Sequence, residues 1–226
     1  MKKGRVIALE EHYFDPEVTK HFQASGPEAR AHGHLLRAEA NAIVVGVGTV
    51  LADDPELTCR LPGLAHRSPD RVVLDSKLRT PTTAKVLWRQ GEKARVWIMS
   101  AVDDPANTVR DASPLWRSGN LVLNDLDRPG STARVDVQAA LDSLEVNDVR
   151  RVLVEGGPRV WQSFLAEDLV DEVVLYRSGT VLGDGGVEPL GPNGLGAFEG
   201  PAWMPTDERP LGADRMIVYR RLRRGV

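Results

Sequence analysis

The chain has 226 residues, of which 42% are hydrophobic and 27% are charged, and its formal net charge is −3. This composition is typical of a soluble globular protein, and the charge excludes the basic surface of a nucleic-acid-binding protein. Cys59 is the single cysteine, which excludes an internal disulfide and predicts a reducing, cytoplasmic location. No apolar run approaches the roughly 20 residues of a membrane span, and charges interrupt the first residues too early for a signal peptide.

Short apolar runs rich in β-branched residues alternate with amphipathic segments along the chain. Strands are predicted at residues 6–9, 42–47, 71–75, 95–100, 120–125, 151–157, 171–178 and 215–222, and a Gly- and Pro-rich loop is predicted at 183–210. Buried strands that alternate with amphipathic helices predict βαβ units and a mostly parallel sheet. The sequence therefore predicts one α/β domain.

Three helix starts carry recognisable signals. Ser25 is the predicted N-cap of the first helix, with Pro27 in its first turn and Glu28 placed as in a capping box. Asp136 and Pro158 are the predicted starts of two later helices.

A first glycine-containing turn follows the strand predicted at 42–47. Gly46 and Gly48 would let a ligand approach the backbone, but Leu51 stands where the dinucleotide-binding fingerprint has its third glycine. A tight turn is therefore the favoured interpretation, with Asp53 and Asp54 as turn formers.

A second turn follows the strand that ends at Glu155. Gly156 and Gly157 form the turn, and Pro158 begins a helix. Free N–H groups and the positive end of the helix dipole would then favour a phosphate or pyrophosphate at this edge of the sheet. The alternative is a structural glycine turn with a solvated glutamate.

Three long stretches carry a family resemblance when they are taken together and in order. They are NAIVVGVGTVLADDPELTCRLPG, RVVLDSKLRTP and RVLVEGGPRVWQSFLAEDLVDEVVLYRSGTVLGDGG. From about residue 25 to the C-terminus, the chain resembles the C-terminal reductase domain of bacterial bifunctional riboflavin-biosynthesis proteins. The resemblance implies a dihydrofolate-reductase-like α/β fold, with a mostly parallel central sheet flanked by helices and an antiparallel C-terminal strand.

The resemblance also implies an activity. The expected reaction is NADPH-dependent reduction of 5-amino-6-(5-phosphoribosylamino)uracil to the ribitylamino product, by hydride transfer to C1′ of the ring-opened sugar. The zinc deaminase domain that usually precedes the reductase has no counterpart in these 226 residues, so a stand-alone reductase is expected.

Two sets of site residues follow from the resemblance. Arg37 and Arg60 are expected to bind the ribose 5-phosphate, and Glu155 is expected to accept from the pyrimidine or orient the imine. The cofactor set is Thr49, Asp53, Ser76, Gly157, Pro158, Arg159, Val160, Trp161, Gln162 and Ser163, and the substrate set is Arg37, Leu57, Arg60 and Glu155. The resemblance identifies no catalytic proton donor, and no metal site is expected.

Two further expectations concern cofactor choice and assembly. Ser76, Lys77 and Arg79 form a neutral-to-basic cluster that favours the 2′-phosphate of NADPH over NADH, although a solvated strand end is the alternative. The late apolar segments 171–182 and 215–222 predict an exposed sheet edge and hence a homodimer, as the family resemblance also implies.

Residues 1–24 depart from the family pattern, because its Ser-Leu-Asp-Gly element is missing. GRVIALEEHYFDPEV instead resembles the first strand of metal-dependent amidohydrolase-type decarboxylases, in which a pair such as Glu10 and His12 binds zinc or manganese. Such enzymes need a full barrel and further histidines, whereas His66 is the one histidine after residue 34.

Segment 1–24 is therefore treated as an atypical start that supplies the first strand, followed by a reductase domain at 25–226. We expect a folded protein that binds NADPH but reduces the riboflavin precursor slowly or not at all. The alternatives are a reductase of a related small substrate, a nucleotide-binding homologue with weak or no activity, and, remotely, a metal-dependent decarboxylase.

Overall fold

The computed structural model describes residues 5–10, 26–87, 94–101, 121–125, 134–177 and 198–222. Within these ranges the strands are β1 (Arg5–Glu10), β2 (Ala42–Gly46), β3 (Asp70–Leu74), β4 (Val96–Ser100), β5 (Leu121–Asp125), β6 (Arg151–Val154), β7 (Glu172–Arg177), β8 (Trp203–Leu211) and β9 (Asp214–Arg221). The α-helices are α1 (Pro27–Glu39), α2 (Val47–Asp53), α3 (Val137–Glu145) and α4 (Pro158–Ala166).

The described strands form one sheet in the order β5-β4-β3-β2-β6-β1-β7-β9-β8. Strands β1 to β7 run parallel, while β9 is antiparallel to β7 and β8 is antiparallel to β9. The predicted α/β fold, with its mostly parallel sheet and antiparallel C-terminal strand, is confirmed.

The strand predicted at residues 6–9 lies in the middle of this sheet. Ile7 pairs with Leu153 of β6 on one side and with Glu172 of β7 on the other. Both flanks of β1 are therefore paired, as the backbone donors and acceptors of a central strand require.

The sheet buries both of its faces, which explains the continuous apolar runs in the sequence. Val44 and Val72 face the side covered by α3 and α4, where Phe164 is buried. Ile43 and Val45 face the opposite side, against the buried residues of α2. Alternate residues of one strand thus belong to different cores.

The N-terminal cap of α1 differs from the prediction. Gly26, not Ser25, is the N-cap, and it makes no side-chain cap hydrogen bond. The Gly26 N–H instead donates to Asp214 Oδ2 at 2.6 Å. The other two predicted starts are confirmed: Asp136 accepts from the Ala139 N–H at 2.9 Å, and Pro158 is the first residue of α4.

The tight turn predicted after β2 is wrong, because β2 runs directly into α2. Val47 and Val50 lie three residues apart and are both buried, which is the spacing of one helix face. The helix ends at Asp53, and its C-cap Asp54 has a φ of 43°, in the left-handed region. The change of chain direction that was predicted directly after β2 therefore occurs at Asp54, after α2.

The loop predicted at 183–210 is also wrong in its last part, because residues 203–210 belong to β8. Among the residues of β8, Trp203 is the buried one, and most of the others are exposed. An edge strand that faces solvent on both sides has no apolar alternation to reveal it.

The sheet edge expected at the late apolar strands is not there. Both β7 and β9 are interior strands, and the C-terminal edge is β8. β8 contains Pro205 and Pro210 and an irregular register between Pro205 and Asp207. Prolines and bulges discourage pairing with another edge, so this edge gives no support to the predicted homodimer.

Among the described residues, no helix is long and apolar enough to cross a membrane.

Candidate functional site

Adjacent parallel strands bring their carboxyl ends to one edge of the sheet. Gly46 at the end of β2 pairs with Leu74 of β3, and Val44 pairs with Val154 of β6. Ala8 of the central strand β1 pairs with Val154 on the other side. Ligands of open α/β sheets bind beyond such strand ends.

The two glycine-containing stretches meet at this edge through Thr49. Gly156 and Gly157 have φ values of 120° and 82°, which L side chains rarely adopt. A Cβ on Gly156 would lie 3.2 Å from Thr49 Oγ1, and one on Gly157 would lie 3.6 Å from it. Thr49 therefore packs against the second turn, whose positive φ values favour glycine at both positions.

Helix α4 begins directly at this turn. The N–H groups of Val160 and Trp161 donate to the Gly157 carbonyl at 3.0 and 3.2 Å, and no side chain caps the helix. A Cβ on Gly46 would lie 2.8 Å from Val160 Cγ2. The end of β2 thus lies directly against the first turn of α4.

The other cofactor positions on α4 have different surroundings. The Trp161 side chain is buried in the core, whereas Arg159 and Gln162 are exposed. The Ser163 hydroxyl donates to the Arg159 carbonyl at 2.9 Å. Burial of the Trp161 side chain leaves its backbone as the part that could contact a cofactor.

Ser76 follows β3 in a loop that Asp75 organises. Asp75 is fully buried, and its Oδ2 accepts from the Thr80 N–H at 2.6 Å and from the Thr80 hydroxyl at 2.7 Å. The Ser76 Oγ accepts from the Val135 N–H at 3.0 Å, just before α3. Lys77 and Arg79 are exposed beside it.

Asp53 lies at the end of α2 on the same side of the sheet as Thr49. Its side chain is exposed, yet desolvation by the surrounding protein raises the pKa of its carboxyl. The next residue, Asp54, accepts from the Lys85 N–H at 2.7 Å, which fixes the position of the helix end.

The predicted substrate residues Arg37 and Glu155 form a bidentate ion pair. Arg37 Nε donates to Glu155 Oε1 at 2.7 Å, and Arg37 Nη2 donates to Glu155 Oε2 at 2.5 Å. Their side chains are 15% and 11% exposed. Arg37 Nη1 also donates to the Thr58 carbonyl at 3.1 Å. Protein acceptors therefore hold the Arg37 guanidinium in this structure, and its binding of a phosphate stays a prediction.

Arg60 has different surroundings, since its side chain is exposed. It contacts His34 of α1, and no carboxylate of the described residues forms an ion pair with it. Leu57, which begins this segment, is buried with a φ of 54°. Of the two arginines, Arg60 is thus the one that has no carboxylate partner in the described part of the chain.

Sequence reasoning missed His34 as part of this cluster. Burial lowers the pKa of its imidazole, and the charges of Arg37 and Arg60 lower it further, against smaller opposite effects of Glu155 and the Thr58 backbone. His34 and Arg37 are three residues apart on α1, a spacing that places both on one helix face. That spacing was the available signal.

The metal pair of the remote alternative falls largely outside the described residues. His12 lies outside them, and for Glu10 the structure describes the backbone alone. Within the described ranges, no group of three or more histidine, cysteine or acidic residues could hold a metal ion.

Three comparisons place the chain among known proteins. The family of RibD C-terminal domains matches residues 14–207. The chain is 35% identical over 156 residues to the 2,5-diamino-6-ribosylamino-4(3H)-pyrimidinone 5′-phosphate reductase of Archaeoglobus fulgidus, covering 66% of each protein. It is 31% identical over 195 residues to the riboflavin biosynthesis protein RibD of Aquifex aeolicus, covering 86% of this chain and 50% of that protein.

A solved structure of Acinetobacter baumannii RibD superposes with a TM-score of 0.74 at 22% identity, covering 98% of this chain and 59% of that one. The chain thus spans between half and two thirds of the length of these relatives. The family match begins at residue 14, so it includes part of the segment expected to lie outside the family. By sequence and by fold, the chain belongs to the family of RibD C-terminal reductase domains.

Proposed function

We propose that the chain is an NADPH-dependent reductase of a phosphoribosylamino-pyrimidine in riboflavin biosynthesis. One observation carries the proposal: Arg37 connects the segment that carries Arg60 to the glycine turn, because it donates both to the Thr58 carbonyl and to Glu155, the residue just before Gly156. The named reductase activity of relatives up to 35% identical supports the same reaction.

The residues at the strand ends fit a dinucleotide. A Cβ on Gly48 would meet no atom within 4 Å, so packing within the described residues does not explain this glycine. The start of α4 presents the positive end of the helix dipole, which would favour a pyrophosphate at this edge. Ser76 uses its oxygen as an acceptor, so its hydroxyl proton is left to donate to a ligand.

NADPH, when bound, supplies the hydride. The reaction reduces the C=N bond of the ring-opened sugar, so C1′ gains that hydride and the nitrogen gains a proton. We propose that Thr49, Asp53, Ser76 and the segment 157–163, which is Gly157 and the start of α4, orient the cofactor. Arg60 would hold the substrate phosphate, and the Arg37–Glu155 pair would face the pyrimidine and imine.

The preference for NADPH is attributed to Lys77 and Arg79. Removing both charges in Lys77→Ala/Arg79→Ala should weaken NADPH binding about tenfold or more and leave NADH binding nearly unchanged. Titration of both cofactors by nicotinamide fluorescence measures this. Arg215→Ala on β9 is a control for the loss of an exposed charge. Equal affinity of the unaltered protein for both cofactors would contradict the assignment.

The substrate phosphate is attributed to Arg60. Loss of its charge-assisted hydrogen bonds in Arg60→Ala should weaken substrate binding by about 1.5–3 kcal/mol, or roughly 10- to 150-fold in KM, with NADPH affinity unchanged. Arg67→Ala is a matched control, because Arg67 is an exposed arginine later in the same connection. An unchanged KM in Arg60→Ala would show that Arg60 is a surface residue with no role in substrate binding.

Two pyrimidines are candidates for the substrate. The family resemblance points to 5-amino-6-(5-phosphoribosylamino)uracil, whereas the Archaeoglobus relative is named for the 2,5-diamino pyrimidinone phosphate. Measuring NADPH oxidation with both compounds side by side decides between them. Turnover of neither compound would contradict the proposed function.

A second candidate function is a nucleotide-binding homologue with weak activity. The observation that favours it is the missing Ser-Leu-Asp-Gly element, since β1, which stands in its part of the sequence, is a central strand of the sheet. Misplacing reacting groups by about 1 Å can cost on the order of a hundredfold in rate. Replacing residues 1–24 by a family-type start should then raise turnover well over tenfold. Equal turnover of the two proteins would show that the native start is functional.

We further propose that the reductase acts as a cytoplasmic homodimer. The single cysteine supports a reducing compartment, and the family resemblance supports the dimer. Metal bound by the purified protein would instead favour the decarboxylase.

A further inference from the structure

Helix α1 contacts the segment 58–60 at several points, and His34 is the centre of these contacts. The Arg60 N–H lies 3.3 Å from His34 Nδ1, and Arg60 Nε lies 3.4 Å from His34 Nε2. The Cys59 thiol points at the His34 carbonyl at 3.4 Å. One turn later, Arg37 donates to the Thr58 carbonyl. The position of Arg60 thus depends on α1.

Both groups that Arg60 presents to the ring are donors. A neutral imidazole has one acceptor nitrogen, so it can accept either from the Arg60 backbone or from its guanidinium, depending on the tautomer. A protonated imidazole has no acceptor and would repel the guanidinium. Protonation therefore removes every attraction between the His34 ring and Arg60.

The charged groups around the ring favour the neutral form. Arg60 faces it from the segment after α2, and Arg37 faces it from the same helix. Glu155 at the end of β6 opposes them, but its carboxylate is already paired with Arg37. The Thr58 backbone also acts on the ring, and the Cys59 thiol donates to the His34 backbone carbonyl.

We propose that neutral His34 is a positioning residue that holds the Arg60 guanidinium where it can bind the substrate phosphate. The identity of that phosphate rests on the proposed function, whereas the coupling of His34 to Arg60 rests on geometry. The two statements are therefore tested separately.

The kinetic test compares His34→Ala, His34→Gln and the control His32→Gln. His32 is on the same helix, but its Nδ1 lies 2.5 Å from the Tyr176 hydroxyl, away from Arg60. His34→Ala should raise the KM of the phosphorylated pyrimidine about fivefold or more at nearly constant kcat, because one hydrogen bond to a charged group is lost. In His34→Gln the amide oxygen can accept from Arg60, so most of the affinity should return. His32→Gln should match the unaltered protein.

The pH profile separates positioning from a merely structural role. In the unaltered protein, the KM should rise as the pH falls through the His34 pKa. In His34→Gln this acid limb should disappear. Melting temperatures of all variants identify any that fail to fold.

A second readout does not depend on turnover. The His34 imidazole is titrated by NMR in the unaltered protein and in Arg60→Ala, and ribose 5-phosphate binding is measured by calorimetry in the His34 variants. Arg60→Ala should raise the His34 pKa, because a neighbouring positive charge is lost, and His34→Ala should weaken ribose 5-phosphate binding. An unchanged titration in Arg60→Ala would overturn the inference. If the titration and the calorimetry support the coupling of His34 to Arg60 but neither pyrimidine is reduced, the proposed function alone would be overturned.

Discussion

The substitution Gly48→Ala tests whether position 48 needs glycine for ligand binding or for folding. Gly48 lies in the first turn of α2 and is exposed, and an added Cβ would meet no atom within 4 Å. Its φ lies outside the left-handed range that penalises alanine. The folded protein should therefore accept the methyl group without strain.

The substitution should have opposite effects on the stability of the protein and on its affinity for NADPH. Alanine is about 1 kcal/mol more favourable than glycine inside a helix, and this is an upper limit for the first turn, so the melting temperature should rise by at most roughly 2–4 °C. If the backbone at Gly48 packs against bound NADPH, the methyl group should cost about 1–3 kcal/mol of binding. That corresponds to roughly a 5- to 150-fold weaker Kd.

Thermal melts without cofactor and fluorescence titration with NADPH measure the two effects. Gly200→Ala is the matched control, because an added Cβ there also meets nothing within 4 Å and Gly200 lies outside the proposed site. Gly46→Ala is the opposite case, since its Cβ would lie 2.8 Å from Val160 Cγ2, and it should lower stability. If the Gly48→Ala protein is more stable and its NADPH affinity is unchanged, the proposal that the cofactor packs on α2 is refuted.

Three further predictions concern stability and assembly. Glu155→Gln removes the carboxylate that accepts two hydrogen bonds from Arg37. The substitution should lower the free energy of unfolding by about 1–3 kcal/mol. Equal free energies of unfolding for the two proteins in urea titration would show that the ion pair contributes nothing to stability. The pKa values of His32 and His34 lie below the ordinary 6.5, chiefly because burial disfavours the charged ring. The unfolded chain therefore binds more protons as the pH falls below 6.5, so urea midpoints should decline from pH 7.5 to pH 5.5, and less so in the double variant His32→Gln/His34→Gln. Light scattering should return about twice the monomer mass of 24.8 kDa, and a monomer mass would contradict the proposed homodimer.

The sequence by itself determined the interior of the sheet and the family to which the chain belongs. Strands such as β2 and β6 are buried on both faces, so each appears as a continuous apolar run whatever its neighbours are. Helix starts such as Asp136 and Pro158 were recognisable because capping depends on residues within one turn. The two glycine-containing stretches and the residues that follow them form sequence motifs long enough to identify the family.

Tertiary structure decided what depends on contacts between distant parts of the chain. The edge strand β8 has few buried side chains, and it is held in place by its hydrogen bonds to β9, so its sequence carries no strand pattern. Arg37 and Glu155 are 118 residues apart, and they meet because α1 packs on a sheet whose strand order places the carboxyl end of β6 beside it. A guanidinium binds whichever acceptor the fold brings near, so the contacts of Arg37 with Glu155 and Thr58 could not be predicted from the sequence around it.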